Sequence, residues 1–300
     1  LFRSAGVEVT LFHVPGVGDV FESYGIIRPP NLAVTPLSRS LPWPFQRVHS
    51  NRLFLRRLAA RLGEMPTRDL MMVRHIKLAA ALLARWPQMR LIYEAHEVFA
   101  DTAAAGKKSA RRQEEALVLR GAVLVIANSH ATASRLDELY SPGRPIAVVP
   151  NGVDWPVDDP LKDWPAAPAH VVYAGSLFPW KGVADLVQAA GELPGFTIKI
   201  LGGDPERVEA LRQSVPSTGA KVVFRGQVPH AAVAEALKEA CIAVLTNRAG
   251  IDSGFTSPIK LFEYMAAGCA LVVSDLAPMH EVLGPEDAIW VPPGDATALA

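Results

Sequence analysis

Three hundred residues at about 150 per domain favour two domains, and a chain that is 50% hydrophobic can fill two cores. No apolar run approaches the roughly 18 residues that cross a bilayer, Leu1-Phe2-Arg3-Ser4-Ala5-Gly6 lacks the shape of a signal peptide, and Cys241 and Cys269 alone make neither a disulfide framework nor a zinc cluster, so a globular protein of the reducing cytosol is expected. Zero net charge conceals opposite halves, with 20 Lys+Arg against 12 Asp+Glu over residues 1–150 and 10 against 18 over residues 151–300, which points the first half at something anionic, a membrane surface or nucleic acid being the usual candidates.

The chain lacks an initiator Met and opens on what reads as the end of a helix, so a fragment trimmed at both ends is expected. Residues 7–13 alternate in the manner of a strand, and the Pro/Gly-rich loop after them suits a cleft-lining segment. From 46 to 63 the period turns helical: Leu55, Leu58, Ala59 and Leu62 mark one face, Arg52, Arg56, Arg57 and Arg61 another. Such a helix either rests on anionic lipid or shows a solvated face. Residues 69–73 read as a strand, followed by a helix through Leu78 to Trp86 that Pro87 closes.

A short buried strand, Leu91-Ile92-Tyr93, runs into Glu94-Ala95-His96-Glu97, which places these polar side chains at a strand's carboxyl end, where open parallel sheets bind ligands. His96 is either a partner for substrate or a satisfied structural histidine. Lys107-Lys108 and Arg111-Arg112 open the next helix and add to the basic surface. The apolar strand 122–127 ends at Asn128-Ser129, where Ser129 caps a helix through Leu139, and 146–149 is a further strand.

Pro150-Asn151-Gly152-Val153-Asp154 is turn chemistry, and the boundary is placed here, giving domains 1–153 and 154–300. Beyond it strands at 171–174, 197–201, 221–224 and 242–245 alternate with helices from Gly182, Pro205 and His230, so two doubly wound α/β domains in series are expected. The loop Gly175-Ser176-Leu177-Phe178-Pro179-Trp180-Lys181-Gly182 is neither a dinucleotide fingerprint nor a Walker loop. It still suits an anion: Lys181 falls where a helix begins, against the sign the macrodipole prefers, which a phosphate between them would explain. A solvent-facing lysine is the plainer alternative. Gly202-Gly203-Asp204-Pro205 reads as a tight turn with an Asp cap.

The stretch from Gly250 to Gly268 turns a glycine-bearing loop into a helix after a buried strand. Ser257 is a good N-cap and Pro258 suits the first helical position, so free amides face whatever sits above. Ile259, Phe262 and Ala266 are expected to form the buried stripe, with Thr256, Lys260 and Glu263 on a polar one. Phosphates at the helix end and ribose hydroxyls on Glu263 would match that offset. An ordinary capped helix with a solvated Glu is the alternative.

Taken together, Asn151-Gly152-Val153-Asp154, the loop from Gly175 to Lys181-Gly182, and Ser257-Pro258-Ile259-Lys260-Leu261-Phe262-Glu263-Tyr264-Met265-Ala266-Ala267-Gly268 resemble the family 4 glycosyltransferases in order and spacing. Glu94-Ala95-His96-Glu97 and Asn128-Ser129 also fit that pattern. The resemblance implies the GT-B fold, an α/β architecture of two Rossmann-like domains facing across a cleft, with the acceptor held mainly by the first and a nucleotide-sugar by the second. It implies retention of anomeric configuration, no metal and no cofactor. By the same resemblance Lys181 binds the donor diphosphate, Glu263 the ribose, and the amides near Phe255, Thr256 and Ser257 the phosphate or sugar, in a donor site that includes Gly175 and Ser176. His96 contacts the transferred sugar or the acceptor, and Glu97 belongs to the acceptor side.

Two positions depart from the pattern: Ser176 stands where the family often has Arg, and Phe255 where it often has a first Glu eight positions before Glu263. Sequence before Leu1 is expected to supply a first strand and glycine loop, and sequence after Ala300 the closing helices. The implied partners are a nucleotide-sugar donor, a glycan or lipid-linked acceptor and an anionic membrane surface under the basic domain, with no nucleic acid. The implied location is cytoplasmic, peripheral on the inner membrane face. The competing readings are a non-catalytic subunit that binds nucleotide or glycan, and a nucleotide-sugar epimerase or phosphorylase of the same fold.

Overall fold

The structure is a computed structural model and describes residues 6–15, 21, 27–41, 50–64, 70–153, 170–250 and 259–300. The chain divides into two compact units, Leu1–Met71 with Gln88–Arg90, and Met72–Pro87 with Leu91–Ala300.

In the first unit, β1 (Val9–His13) pairs in parallel with β2 (Leu32–Pro36), Val9 opposite Leu32 and His13 opposite Pro36. Helix α1 (Asn51–Glu64) buries Leu58 and Leu62, four positions apart on one face. Its arginine face is smaller than the period predicts. Arg52, Arg56 and Arg61 are exposed, whereas Arg57 is half-buried and donates to the carbonyls of Ser38 and Ser40, so it ties down a loop. The loop expected to follow β1 lies largely outside the described residues.

The second unit carries two sheets. β3 (Met71–Val73), β4 (Leu91–Ala95), β5 (Leu124–Ala127) and β6 (Ala147–Val148) lie in that order, β4 to β6 in parallel. Between them run α2 (Ile76–Arg85), α3 (Phe99–Thr102), α4 (Lys108–Gly121) and α5 (His130–Tyr140). Leu91, Tyr93 and Ala95 are fully buried, so β4 fills the sheet with every second residue. Glu115 of α4 is wholly buried and accepts the N–H groups of Phe99 (2.6 Å) and Ala100 (3.0 Å) and the hydroxyl of Tyr140 (2.5 Å). Burial pushes its carboxyl up, and those hydrogen bonds oppose the shift. One carboxylate thus fixes the turn that leaves β4 against two helices.

The other sheet runs β9 (Lys221–Gly226), β8 (Thr197–Leu201), β7 (His170–Ala174), β10 (Ile242–Leu245), β11 (Ala270–Ser274), β12 (Ile289–Val291), all parallel. With it go α6 (Val183–Ala189), α7 (Pro205–Gln213), α8 (His230–Glu239), α9 (Ile259–Ala266), α10 (Ala277–His280) and α11 (Ala296–Leu299). The alternation of β7 splits its side chains between two cores: Val172 and Ala174 join Leu237, Leu261 and Tyr264, while Val171 and Tyr173 join Val183, Leu186 and Val187. The chain works outward from β7 to β9, then restarts beside β7 with β10. A doubly wound sheet of this order binds ligands where the direction reverses, here at the carboxyl ends of β7 and β10. Among the described residues no helix is long and apolar enough to cross a membrane.

Candidate functional site

At the end of β7 the backbone turns through positions that only glycine accepts easily. Gly182 has φ of 66°, and a Cβ there would fall 1.9 Å from the carbonyl oxygen of Thr246. The loop is therefore pressed onto the end of β10. The Thr246 hydroxyl donates to the Lys181 carbonyl (2.8 Å) and the N–H of Arg248 to that of Trp180 (2.8 Å), which completes the clamp. Arg248 also grips the buried Asp185 of α6 through Nε (2.9 Å) and a terminal nitrogen (2.5 Å).

Lys181 closes a 3₁₀ turn, Pro179–Lys181, and the left-handed Gly182 separates it from α6, which starts at Val183, one residue after the start the sequence gives. Its Nζ lies 3.7 Å from the centroid of the Trp180 ring, and burial pushes its pKa down to about 8.

Helix α9 supplies the other wall. Leu261 and Tyr264 are fully buried, whereas Ile259 is 48% exposed and Phe262 and Ala266 only half-buried, so the expected Ile259, Phe262, Ala266 stripe is wrong. The Tyr264 hydroxyl decides the rotation. It accepts the N–H of Ala174 at 2.8 Å, a buried donor at the very end of β7 that needs a partner. Lys260, four residues before Tyr264, is carried inward with it. Its Nζ donates to the Tyr173 hydroxyl (3.3 Å), which donates to the Ser176 carbonyl (2.8 Å), and a Cβ on Gly175 would fall 1.5 Å from that Nζ. The Lys260 pKa is pushed down to about 7, by burial first and then by the charge of Lys181, with Glu263 pulling the other way. Glu263 is mostly buried and meets Nε2 of His230 at 3.1 Å. Among the described residues neither Lys181 nor Lys260 has a carboxylate at ion-pair distance.

A second cluster ends β4. His96 Nε2 lies 2.8 Å from Glu94 Oε1, His96 Nδ1 3.3 Å from a terminal nitrogen of Arg74, and Asn128 Nδ2 donates to the His96 carbonyl (3.4 Å). Asn128 is itself held by the Thr132 hydroxyl (3.2 Å), and Ser129 caps α5 through the Thr132 N–H (3.1 Å). Glu97 turns away: its Oε2 accepts the Thr102 hydroxyl (2.7 Å). Among the described residues no group of three or more His, Cys, Asp or Glu side chains could hold a metal ion.

The model of the Glycosyltransferase Family 4 matches residues 2–155, and that of the Glycosyl transferases group 1 matches residues 168–300. This chain belongs to glycosyltransferase family 4. It is 35% identical over 161 residues to a phosphatidyl-myo-inositol mannosyltransferase of Mycolicibacterium smegmatis, a match that covers 51% of this chain and 40% of the relative, so the chain spans well under two thirds of the curated relatives it matches. Among solved structures it is similar to sucrose-phosphate synthase from Thermosynechococcus elongatus (TM-score 0.74, 20% identity, 99% of this chain and 79% of that one). It is also similar to HepE from Anabaena in complex with UDP and glucose (TM-score 0.68, 20% identity, 90% and 75%). These likenesses speak for the fold, which is GT-B.

Of the residues the family pattern singles out, Gly175, Ser176, Lys181 and Glu263 gather where β7 and β10 end. Phe255, Thr256 and Ser257, with the expected start of α9 and Asp154, lie outside the described residues. His96 has its own cluster, and among the described residues no hydrogen bond or ion pair joins it to Lys181 or Glu263. Sequence reasoning put Lys260 on the polar stripe with Glu263 but gave it no role, and it missed Arg74, His230 and the two tyrosines. Only Lys260 carried a signal, because a lysine four positions before a tyrosine shares that residue's helix face.

Proposed function

We propose that this chain moves a hexose-like sugar from a nucleoside-diphosphate sugar to the hydroxyl of a glycan or lipid-linked acceptor, with retention at the anomeric carbon and without a metal ion. The observation that carries the reading is the convergence of Lys181, a half-buried ammonium without a carboxylate partner among the described residues, and Glu263 at the two strand ends that flank the switch point. As the sugar–phosphate bond breaks, negative charge grows on the departing diphosphate, and a poorly hydrated ammonium stabilises it more than one in water would. Glu263 accepts from the ribose hydroxyls. His96, oriented by Glu94 and Arg74, serves the transferred sugar or the acceptor from the first domain, residues 1–153, while residues 154–300 hold the donor.

The similarity to proteins named phosphatidyl-myo-inositol mannosyltransferases, and to one solved with UDP and glucose, supports an activated hexose and a lipid-borne acceptor. With such an acceptor the +8 first half would sit on the anionic, cytoplasmic face of a membrane through Arg52, Arg56 and Arg61. The test is release of nucleoside diphosphate from UDP-glucose and GDP-mannose, each with and without phosphatidylinositol vesicles or a free sugar, with the product's anomeric configuration read by NMR. Release that rises with acceptor, persists in EDTA and yields the donor's anomer supports the reading. Binding without release would assign a non-catalytic subunit, which Ser176 and Phe255 favour, and an altered sugar on an intact nucleotide would assign an epimerase.

A further inference from the structure

Two ammonium groups converge at the end of β7. Lys181 comes from the 3₁₀ turn after the strand and Lys260 from α9, and their charges repel strongly enough to appear among the causes that depress Lys260. Among the described residues the Lys260 Nζ has one hydrogen-bond partner, the neutral Tyr173 hydroxyl, and it fills the space that a Cβ on Gly175 would need. A lysine with three donors, nearly buried and served by one acceptor, is costly to keep charged. The charge of Lys181, near enough to depress the Lys260 pKa further, adds to that cost. An anion with oxygens spread over two phosphorus centres would meet both Nζ atoms at once and remove both penalties.

We propose that Lys260 is a second donor-binding cation, which with Lys181 grips the diphosphate of the nucleotide-sugar. This assignment rests on the transferase reading above. Among the described residues the charged and titratable groups that face Lys260 are Lys181 from the 3₁₀ turn, Tyr173 from β7 and Glu263 on α9 itself, the last with His230 of α8 beyond it. Glu263 favours the ammonium and Lys181 opposes it. A bound diphosphate reverses the balance, drawing a proton from the buffer onto Nζ. With the pKa at about 7, that uptake is about half a proton per site at pH 7.

The test is calorimetry at pH 7, in two buffers of different ionisation enthalpy, with UDP, GDP and inorganic pyrophosphate and with uridine and guanosine as controls. Wild type is compared with Lys260→Met, which keeps the chain length without the charge, and with Gly175→Ala, whose methyl group occupies the position of Nζ. Both variants are expected to lose diphosphate and pyrophosphate affinity by roughly 10- to 150-fold with nucleoside affinity unchanged, and Lys260→Met to lose the half-proton uptake. Equal affinity and equal uptake in Lys260→Met would overturn the assignment of Lys260 and leave the transferase reading intact. A parallel loss for nucleosides would mean that Lys260 only shapes the fold of the site, and overturns it too. If wild type binds neither diphosphate, the transferase reading itself fails and this inference falls with it.

Discussion

The carboxylate of Glu281 accepts the main-chain N–H of His130 at 2.7 Å, across 151 positions of sequence, and with its other oxygen that of Ala131 at 2.7 Å. These are the first two amides of α5, and the third, Thr132, is taken by the Ser129 side chain. Every early amide of that helix therefore has a partner, and the first two share one carboxylate from the segment between β11 and β12. Glu281→Ala should free both amides and cost about 0.5–1 kcal/mol, the usual worth of an anion at a helix N-terminus. Hydrogen exchange read by mass spectrometry should show faster exchange at the start of α5. Unchanged protection there would mean that the contact does not persist in solution.

Among the described residues His96 belongs to a cluster that shares no hydrogen bond or ion pair with Lys181 or Lys260, the lysines proposed to hold the diphosphate. His96→Ala should therefore lower kcat while leaving nucleoside diphosphate affinity nearly unchanged. A matched fall in nucleotide affinity, measured by calorimetry, would move the histidine into the donor site.

Arg52, Arg56 and Arg61 are the exposed arginines described on α1, whereas Arg57 is half-buried against the Ser38 and Ser40 carbonyls. At on the order of 1 kcal/mol for each basic residue near an anionic surface, the triple change of Arg52, Arg56 and Arg61 to Gln should weaken binding to anionic vesicles by about 100-fold, and salt should mimic it. Co-sedimentation measures this. Equal partitioning of the wild type to neutral and anionic vesicles would sink the idea.

The repeating strand and helix pattern of residues 170–250 is legible in sequence because parallel strands buried on both faces read as unbroken apolar runs, and β7 and β10 fall where those runs lie. The placement of Lys181 and Glu263 at neighbouring strand ends was also legible, from chain order alone. Lys260 was not. Helical spacing offered Ile259, Phe262 and Ala266 as an apolar stripe, and the choice between that face and the one with Leu261 and Tyr264 was made by a hydrogen bond to Ala174, 90 residues away. The Glu281 contact was illegible for the same reason: nothing local marks which carboxylate will meet a distant helix end.

Lys181 and Glu263 should grip one nucleotide at different points. Lys181→Ala should weaken nucleoside diphosphate binding by roughly 10- to 150-fold, from about 1.5–3 kcal/mol for a charged hydrogen bond, and leave the nucleoside untouched. Glu263→Ala should weaken both, and a 2′,3′-dideoxynucleoside should bind wild type and Glu263→Ala alike. Loss of nucleoside in Lys181→Ala as large as that of diphosphate would refute a shared cradle.

The lysine pair should also write itself into the stability of the ligand-free protein. The folded-state pKa of Lys260 is about 7, below its ordinary 10.5, so between those values the unfolded chain binds a proton that the folded protein does not. Stability must then rise with pH across that window, and Lys181, moved from 10.5 to about 8, adds the same sign over the upper part of it. Below pH 7 both states carry the charge on Lys260, and the folded one bears the full cost of holding it out of water. Lys260→Met escapes that cost. Its urea midpoint should exceed that of wild type by a constant amount below pH 7, and the gap should close as pH approaches 10.5. Saturating nucleoside diphosphate should narrow the gap at low pH, because the ligand stabilises the protein that has both cations more than it stabilises Lys260→Met. A gap that stays flat from pH 6 to 10 would place the Lys260 ammonium in water and remove the physical ground for pairing it with Lys181.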